Sequence, residues 1–315
     1  MFQKKDKLSI IIPVYNEESC ITELLSRLIK LSGKLESLET EFIFINDGST
    51  DRSLELLSAY AKENKIVKII NFSRNFGHQI ALTAGLDYSK ADYAVIIDAD
   101  LQDPLELIED MYRKAKEGYD IVYGKRIARR GENIFKLFTA KVFYKFISIM
   151  CDVEIPGDTG DFRLINRKVL DAIKQLREKH RFIRGMIPWV GFRSVPFYYN
   201  RDERYAGKTK FLLRKMMRFA LDGVFSFSNV PIRLTTYFGL LLVGLGALGA
   251  ILILYLRFFT KYSVPGISAV ILTVIIIGGF QIIMMGIIGE YVGRIFEESK
   301  KRPLYLVDET VNIAE

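Results

Sequence analysis

A chain of 315 residues, half of them hydrophobic, can hold one large domain with an appendage or two small domains. Its mean hydropathy of +0.15 is high for a soluble protein, and the apolar excess is concentrated toward the C-terminal end. The net charge of +8 comes without a nucleic-acid motif. The basic residues gather beside the apolar runs and over 201–218, which points to anionic lipid and a phosphorylated substrate rather than nucleic acid.

In chain order, MFQKKDKLSIIIPVYNEE has too short an apolar run before Pro13 for a secretory signal, whose core needs about 7–15 residues. The residues before the apolar runs are therefore expected on the cytoplasmic side. Cys20 and Cys151 are too few for a disulfide framework, in keeping with a reducing compartment. Leu8–Val14 reads as a strand buried on both faces. Asn16 is expected to cap a helix whose apolar stripe is Ile21, Leu24, Leu25, Leu28 and Ile29. Glu41–Asn46 is a second strand. In the turn that follows, Gly48 permits a close approach and Ser49 is placed to cap a helix containing Leu54, Leu57 and Ala61. Ile66–Phe72 is a third strand, with a helix through Ile80–Tyr88 behind it, and Tyr93–Asp98 is a fourth. Asp103 is expected to cap the next helix, with Pro104 at its first position and Glu106 three residues beyond the cap. Asp120–Tyr123 is a fifth strand.

This alternation predicts an α/β fold, a parallel sheet with helices on both faces that binds ligands at the carboxyl ends of its strands. The polar clusters YNEE, NDGSTD, SRNFGHQ and DADLQDP fall at those ends. Residues 132–150 form an expected helix with aromatic residues at 135, 138, 143, 144 and 146, suited equally to lipid contact and to a core face. Lys210–Phe227 reads as an amphipathic stretch on the membrane surface.

Two uncharged runs follow, Leu234–Leu256 between Arg233 and Arg257, and Val264–Gly289 before Glu290. Each exceeds the roughly 20 residues that cross a bilayer core. A hairpin buried in a soluble core is the weaker alternative. Arg214, Lys215, Arg218 and Arg233 precede the first run, and Arg294, Lys300, Lys301 and Arg302 follow the second, whereas the loop between carries Arg257 and Lys261. That asymmetry places both termini in the cytoplasm. Gly239, Gly244, Gly246 and Gly249 on one run, with Gly278, Gly279, Gly286 and Gly289 on the other, permit close helix packing and suggest a homo-oligomer.

The chemistry centres on Asp98, Asp100 and Gln102. On a strand residues i and i+2 point the same way, so Asp98 and Asp100 are expected to present two carboxylates on one side of the strand end, as hard divalent cations are held together with water and substrate phosphates. A pair of solvated turn aspartates is the alternative, since D-x-D is common. Asp47 can accept hydrogen bonds from a ribose or a base edge, although NDGST is also simply a good turn. Arg204-Tyr-Ala-Gly-Lys-Thr-Lys210 sets cations around a glycine, as a phosphate clamp or a patch for anionic lipid.

Taken in order, IPVYNEE, NDGSTD, SRNFGHQ, DADLQDP, DTGDFRL and RYAGKTK, followed by two spans, resemble the family 2 glycosyltransferases that load sugars onto polyisoprenyl phosphate. This group includes dolichyl-phosphate mannose synthase and the bactoprenol glucosyltransferases. The resemblance extends over nearly the whole chain, and DTGDFRL with the two-span hairpin is more similar to the bacterial glucosyl type. It implies a GT-A catalytic domain over 1–208, a juxtamembrane segment at 209–233, spans at 234–256 and 264–289, and a cytoplasmic tail at 290–315. It further implies that Pro13, Tyr15 and Glu17 line the nucleotide, with Asp47 at its base or ribose. Asp98, Asp100 and Gln102 would hold Mg²⁺ or Mn²⁺ on the diphosphate, and Arg126, Arg204 and Lys210 would contact phosphates. Asp161 stands at the place of the family's catalytic acidic residue; a structural ion pair with Arg163 is its alternative. The implied reaction is inverting hexose transfer, from a UDP-hexose such as UDP-glucose to undecaprenyl phosphate, at a bacterial-type inner membrane. A silent membrane scaffold that binds nucleotide sugar or assists lipid transport, and a processive polysaccharide synthase, are the competing readings. RFIRGMIPW over 181–189 lacks the QxxRW spacing of the synthases.

Overall fold

The structure is a computed structural model, and it describes residues 5–127, 159–200, 228, 230–259 and 266–313. These fall in two units. The expected helix at 132–150 and the amphipathic stretch at 210–227 lie outside the described residues.

The first unit contains β1 (Asp6–Val14), α1 (Glu18–Lys34), β2 (Leu38–Asn46), α2 (Ser53–Glu63), β3 (Val67–Phe72), α3 (His78–Tyr88) and β4 (Tyr93–Ile96). A 3₁₀ turn at Leu105–Leu107 leads into α4 (Ile108–Lys116), then β5 (Ile121–Arg126), β6 (Thr159–Asn166), α5 (Arg167–Gln175), α6 (Ile183–Trp189) and β7 (Ser194–Tyr199). Residues at the far end of the chain supply β8 (Val307–Val311). The eight strands form one sheet in the order β7-β5-β6-β4-β1-β2-β3-β8.

The sheet is mixed. β1 pairs in parallel with β2 and β4, β2 with β3, and β5 with β7, but β6 runs antiparallel to both β4 and β5, and β8 runs antiparallel to β3. The expected parallel pairing is found among the four strands that alternate with helices, and the antiparallel strands enter where that alternation ends. One face of the sheet, with Leu8, Ile10, Ile12, Phe42, Phe44, Val67 and Val95, packs on Leu24, Leu25 and Leu28 of α1, Leu57 of α2 and Met111 of α4. Ile11, Ile43 and Ile45 point to the opposite face. There α3 lies so near that a Cβ on Gly85 would collide with Ile11 and Ile45. Fully burying one such aliphatic side chain contributes about 1.5–3 kcal/mol.

Three expected helix caps are not made. Asn16, at φ 54°, accepts from the Thr50 N–H at 2.8 Å, and α1 begins without a side-chain cap. Ser49 Oγ accepts from the Asn16 N–H at 3.0 Å instead of capping α2. Asp103 accepts from the Tyr199 hydroxyl at 2.8 Å. In each case a bond to a distant loop or strand outcompetes the local one. The loops after β1 and β2 are thereby stitched together, with Glu17 N–H to Ser53 Oγ at 3.0 Å and Glu18 N–H to Asp51 Oδ2 at 3.1 Å as further links.

The second unit holds α7 (Val230–Phe259) and α8 (Ile267–Ser299). Both are long and apolar enough to cross a membrane, over Val230–Leu256 and Thr273–Ser299. Large apolar side chains such as Val243, Leu252 and Ile282 are exposed along them. The rings of Phe238 and Phe280 meet at 5.7 Å, and the Tyr291 hydroxyl donates to the Ser228 carbonyl at 2.8 Å.

Candidate active site

Parallel β1, β2, β3 and β4 end on the same edge of the sheet, so their terminal loops converge there. Antiparallel β6 enters from that edge. Its register opposite β4, with Ile96 facing Arg163, carries Asp161 to the level of the residues just past Ile96. The result is a cluster of His78, Asp98 and Asp161, whose ligand atoms all lie within 4.8 Å of one another. His78 Nε2 stands 3.2 Å from Asp161 Oδ2 and 3.7 Å from Asp98 Oδ1.

Asp161 is also held by Arg184, whose Nε and Nη2 donate to its two carboxylate oxygens at 2.8 Å each. Burial alone would raise the Asp161 pKa, but the Arg184 charge and fork, with the His78 bond, hold it well below the usual carboxylate range. The ion pair with Arg163, the alternative reading of Asp161, is not the one formed. Arg163 turns back and donates to the Gly160 carbonyl at 2.8 Å, acting on Asp161 through its charge. Desolvation in the cluster disfavours the His78 imidazolium, although its side chain is 44% exposed, and the Asp161 bond and the charges of Asp98 and Asp161 outweigh it and raise its pKa. Asp98 moves the other way to an ordinary paired carboxylate. Burial pushes its pKa up, His78 opposes this, and the like charges of Asp161 and Asp100 add to the rise.

Asp98 and Asp100 do not share a strand. β4 stops at Ile96, and both sit in a turn in which Leu101 has φ 58° and Asp100 Oδ1 accepts from the Gln102 N–H at 3.2 Å. Alternation therefore does not set where they point. Asp100 is buried and Asp98 and Gln102 are half-buried. Two carboxylate oxygens, from Asp98 and Asp161, and the His78 imidazole within 4.8 Å of one another, with like charges that raise the Asp98 pKa, fit a divalent cation; Asp100 and Gln102 are not part of that cluster.

Asp47 follows β2 and is 3% exposed. Its carboxylate accepts from the Phe76 N–H at 2.7 Å and the Gly77 N–H at 3.0 Å, and its carbonyl accepts from Asn75 at 3.1 Å. It pins the loop that leads into His78. Gly48, at φ 64°, passes so near that loop that a Cβ would stand 2.5 Å from backbone atoms of Arg74 and Asn75. Pro13 is buried at the end of β1, Tyr15 is 41% exposed beyond it, and Glu17 is half-buried at the start of α1. Arg126, at the end of β5, lies over Gly160 and against Tyr199; burial pulls its pKa down, but the Tyr199 bond and the Asp103 charge outweigh this and raise it. Arg204 and Lys210 lie outside the described residues.

Asp98 and Asp161 are thus brought together, and two partners were missed in the sequence. His78 sits inside SRNFGHQ and Arg184 inside RFIRGMIPW, but nothing local in either stretch marks a link to Asp161. Arg184 is carried there by α6, whose first N–H, from Ile183, is held by Gln79 Oε1 at 2.8 Å.

The mixed eight-stranded sheet with its helices is GT-A-like, and the two apolar helices of the second unit are candidate membrane spans. Residues 9–174 match the model of glycosyl transferase family 2. The chain is 48% identical to the uncharacterized glycosyltransferase YkcC of Bacillus subtilis, over 97% of this chain and 94% of that protein. It is 39% identical to the prophage bactoprenol glucosyl transferase homolog of Escherichia coli, over 96% of this chain and 98% of the relative. The same figures hold for the bactoprenol glucosyl transferase of Shigella phage SfV. Among solved structures, S. aureus TarS 1–349 in complex with UDP-GlcNAc is 18% identical, with a TM-score of 0.46 over 70% of this chain and 67% of that one. The protein belongs to glycosyl transferase family 2, and it is an enzyme of that class.

Proposed function

We propose that this enzyme transfers glucose from UDP-glucose to a polyisoprenyl phosphate, undecaprenyl phosphate in a bacterial membrane, with inversion at the anomeric carbon. The observation that carries the reading is the convergence of His78, Asp98, Asp161 and Arg184 at the carboxyl edge of the sheet. Similarity to the bactoprenol glucosyl transferases over nearly the full chain supports the choice of sugar and acceptor.

In this reading Asp98 and Asp100, with Gln102 beside them, hold Mg²⁺ or Mn²⁺. The ion, when bound, neutralises charge on the departing diphosphate. Pro13, Tyr15, Glu17 and Asp47 receive the uridine, and Arg126, Arg204 and Lys210 receive phosphate oxygens. The acceptor is a phosphate monoester whose second ionisation lies near pH 6, so it is already largely a dianion at neutral pH. One of its oxygens forms a bond to the anomeric carbon while the bond from that carbon to the UDP oxygen breaks. UDP departs with the bonding pair. No strong base is required, and Asp161 orients the sugar or the acceptor, its charge fixed by Arg184 and His78. An α-linked donor then gives a β-linked lipid phosphate. In this reading the catalytic unit and both termini lie in the cytoplasm, as the lysines and arginines flanking the apolar runs suggest, α7 and α8 cross the membrane, and copies of the chain associate through their glycine-bearing faces.

The test is transfer of labelled sugar to undecaprenyl phosphate by purified protein, with a panel of UDP- and GDP-sugars and with Mg²⁺ or Mn²⁺ against EDTA. Metal-dependent transfer of glucose alone is expected. Transfer of a different sugar would replace the donor. Retained nucleotide binding without any transfer would reject the acceptor.

A further inference from the structure

The segment that follows α8 in the chain is more than a tail on the sheet. β8 pairs with β3 through Ile69–Val311, Ile70–Thr310 and Asn71–Glu309, and the register then shifts so that Phe72 faces Val307. Beyond that irregularity the Ser73 N–H donates to the Leu306 carbonyl at 3.1 Å, at the first residue of the loop that Asp47 holds. Shifts of this kind re-aim the residues that follow them.

Side chains continue the contact. Asp308 accepts from Asn71 Nδ2 at 3.2 Å, and Asn71 Oδ1 accepts from Asn46 Nδ2 at 2.8 Å, one residue before Asp47. The Tyr305 ring stacks on Phe72 with centroids 5.2 Å apart, and Phe72 meets Phe76 edge-to-face at 5.5 Å. The Phe76 N–H is one of those held by Asp47. The Tyr305 hydroxyl reaches Asp87 at 2.9 Å, in the last turn of the helix whose first residue is His78. Asp87 is in turn gripped by Arg177 at 2.8 Å. Tyr305 therefore touches the helix that carries His78 directly, and reaches Phe76 in the loop before it through Phe72, the last residue of β3.

We infer that Tyr305 and Asp308 are positioning residues of the active site, setting loop 73–77 and α3 so that Asp47 and His78 stand correctly toward the sugar nucleotide. The inference rests on the reaction proposed above for its kinetic readout and on geometry alone for its physical one. Aromatic pairs of this type stabilise beyond burial alone, enough to shift how a loop is populated without unfolding the sheet.

The experiment uses the full chain in detergent, with Tyr305→Leu, Tyr305→Phe, Asp308→Ala and, as a control on the same strand, Glu309→Ala. Amide hydrogen exchange is read at Phe76, Gly77 and His78 without substrate, and steady-state transfer is read with substrate. Tyr305→Leu and Asp308→Ala should raise exchange at these three amides and lower kcat/KM for the sugar nucleotide by about tenfold. The KM for the lipid phosphate should stay as in the wild type. Tyr305→Phe, which keeps the ring on Phe72, should recover most of the loss, and Glu309→Ala should match the wild type. Unchanged exchange at residues 76–78 in both truncating variants would overturn the inference, as would raised exchange with unchanged kinetics. Should Tyr305→Leu not fold, Asp308→Ala carries the same two readouts. A wild-type protein that transfers no sugar would reject the proposed reaction, while the exchange comparison would still decide whether the segment holds the loop.

Discussion

Arg184 and Asp161 face one another as a planar fork, two nitrogens against two oxygens at 2.8 Å each, although they belong to different elements of the fold. Asp161 is 2% exposed, so the pair is shielded from water on the carboxylate side. Removing one partner of such a pair leaves a buried charge and costs about 3–5 kcal/mol. Arg184→Ala should therefore lower the unfolding free energy by about 3 kcal/mol, read by denaturant titration of the sheet. Arg184→Lys should restore part of it, because a lysine brings the charge without the fork. Equal stability of all three proteins would mean that the fork is decorative.

Asp161→Asn keeps the shape and removes the charge that Arg184 and His78 face. Sugar transfer should fall by about 100-fold or more with little change in donor binding, as expected for a group acting at the reacting centre. A loss confined to KM would assign Asp161 to binding instead.

Asp98→Asn and Asp100→Asn should each raise the concentration of Mn²⁺ needed for half-maximal transfer, by about tenfold or more. Initial rates measured across a metal titration check this. Asp98→Asn relieves the repulsion that lifts the Asp98 pKa, so the metal-free protein should be no less stable than wild type. Identical metal curves for wild type and both variants would remove these residues from the metal site.

Gly48→Ala should destabilise the protein by about 1–3 kcal/mol, the range for a strained backbone residue. Two causes act together, a φ of 64° and backbone atoms 2.5 Å from the added Cβ. Thermal unfolding with and without UDP separates the global loss from any local loss at the neighbouring Asp47.

Where the sequence could be read, and where it could not, follows from how local the determining forces are. β1 through β4 were legible because each is a nearly continuous apolar run, and the helices between them carry regular stripes. β8 was not. Val307-Asp-Glu-Thr-Val311 is a polar edge strand whose residues are mostly exposed, and its pairing is decided by β3, which is remote in the chain. Asn16, Ser49 and Asp103 have the right chemistry for caps but are recruited by Thr50, Asn16 and Tyr199, which no local pattern reveals. Of the site, Asp98 and Asp161 were visible in their motifs. Their meeting depends on β6 inserting antiparallel between β4 and β5, and His78 and Arg184 acquire meaning once that has happened.

Away from the site, Glu41 offers a test by pH. It is 4% exposed and accepts from Lys68 at 2.6 Å and from Ser9, with Lys7 at 3.2 Å. Burial pushes its carboxyl up, but the Lys68 and Ser9 bonds and the lysine charges outweigh this and set it below its usual 4.5. A folded pKa below the unfolded one means that the stabilisation is complete above about pH 4.5 and is lost as pH falls through the folded value. Glu41→Gln should cost about 3 kcal/mol at pH 7, and the gap to wild type should narrow on acidification below pH 4.5. A gap independent of pH would show that charge is not its source.

The order of the sheet also has a meaning in time. β3 leaves the ribosome before the two apolar helices are made, and its partner β8 is made after them. At about 5–20 residues per second, the nascent chain carries an open strand edge for tens of seconds while everything between, both apolar helices included, is still being synthesised. An unpaired edge is a template for other chains. Maturation of the catalytic unit is thus deferred until the apolar helices have left the ribosome, and a chain stopped short of Val307 would present its bare β3 edge to whatever strand came first.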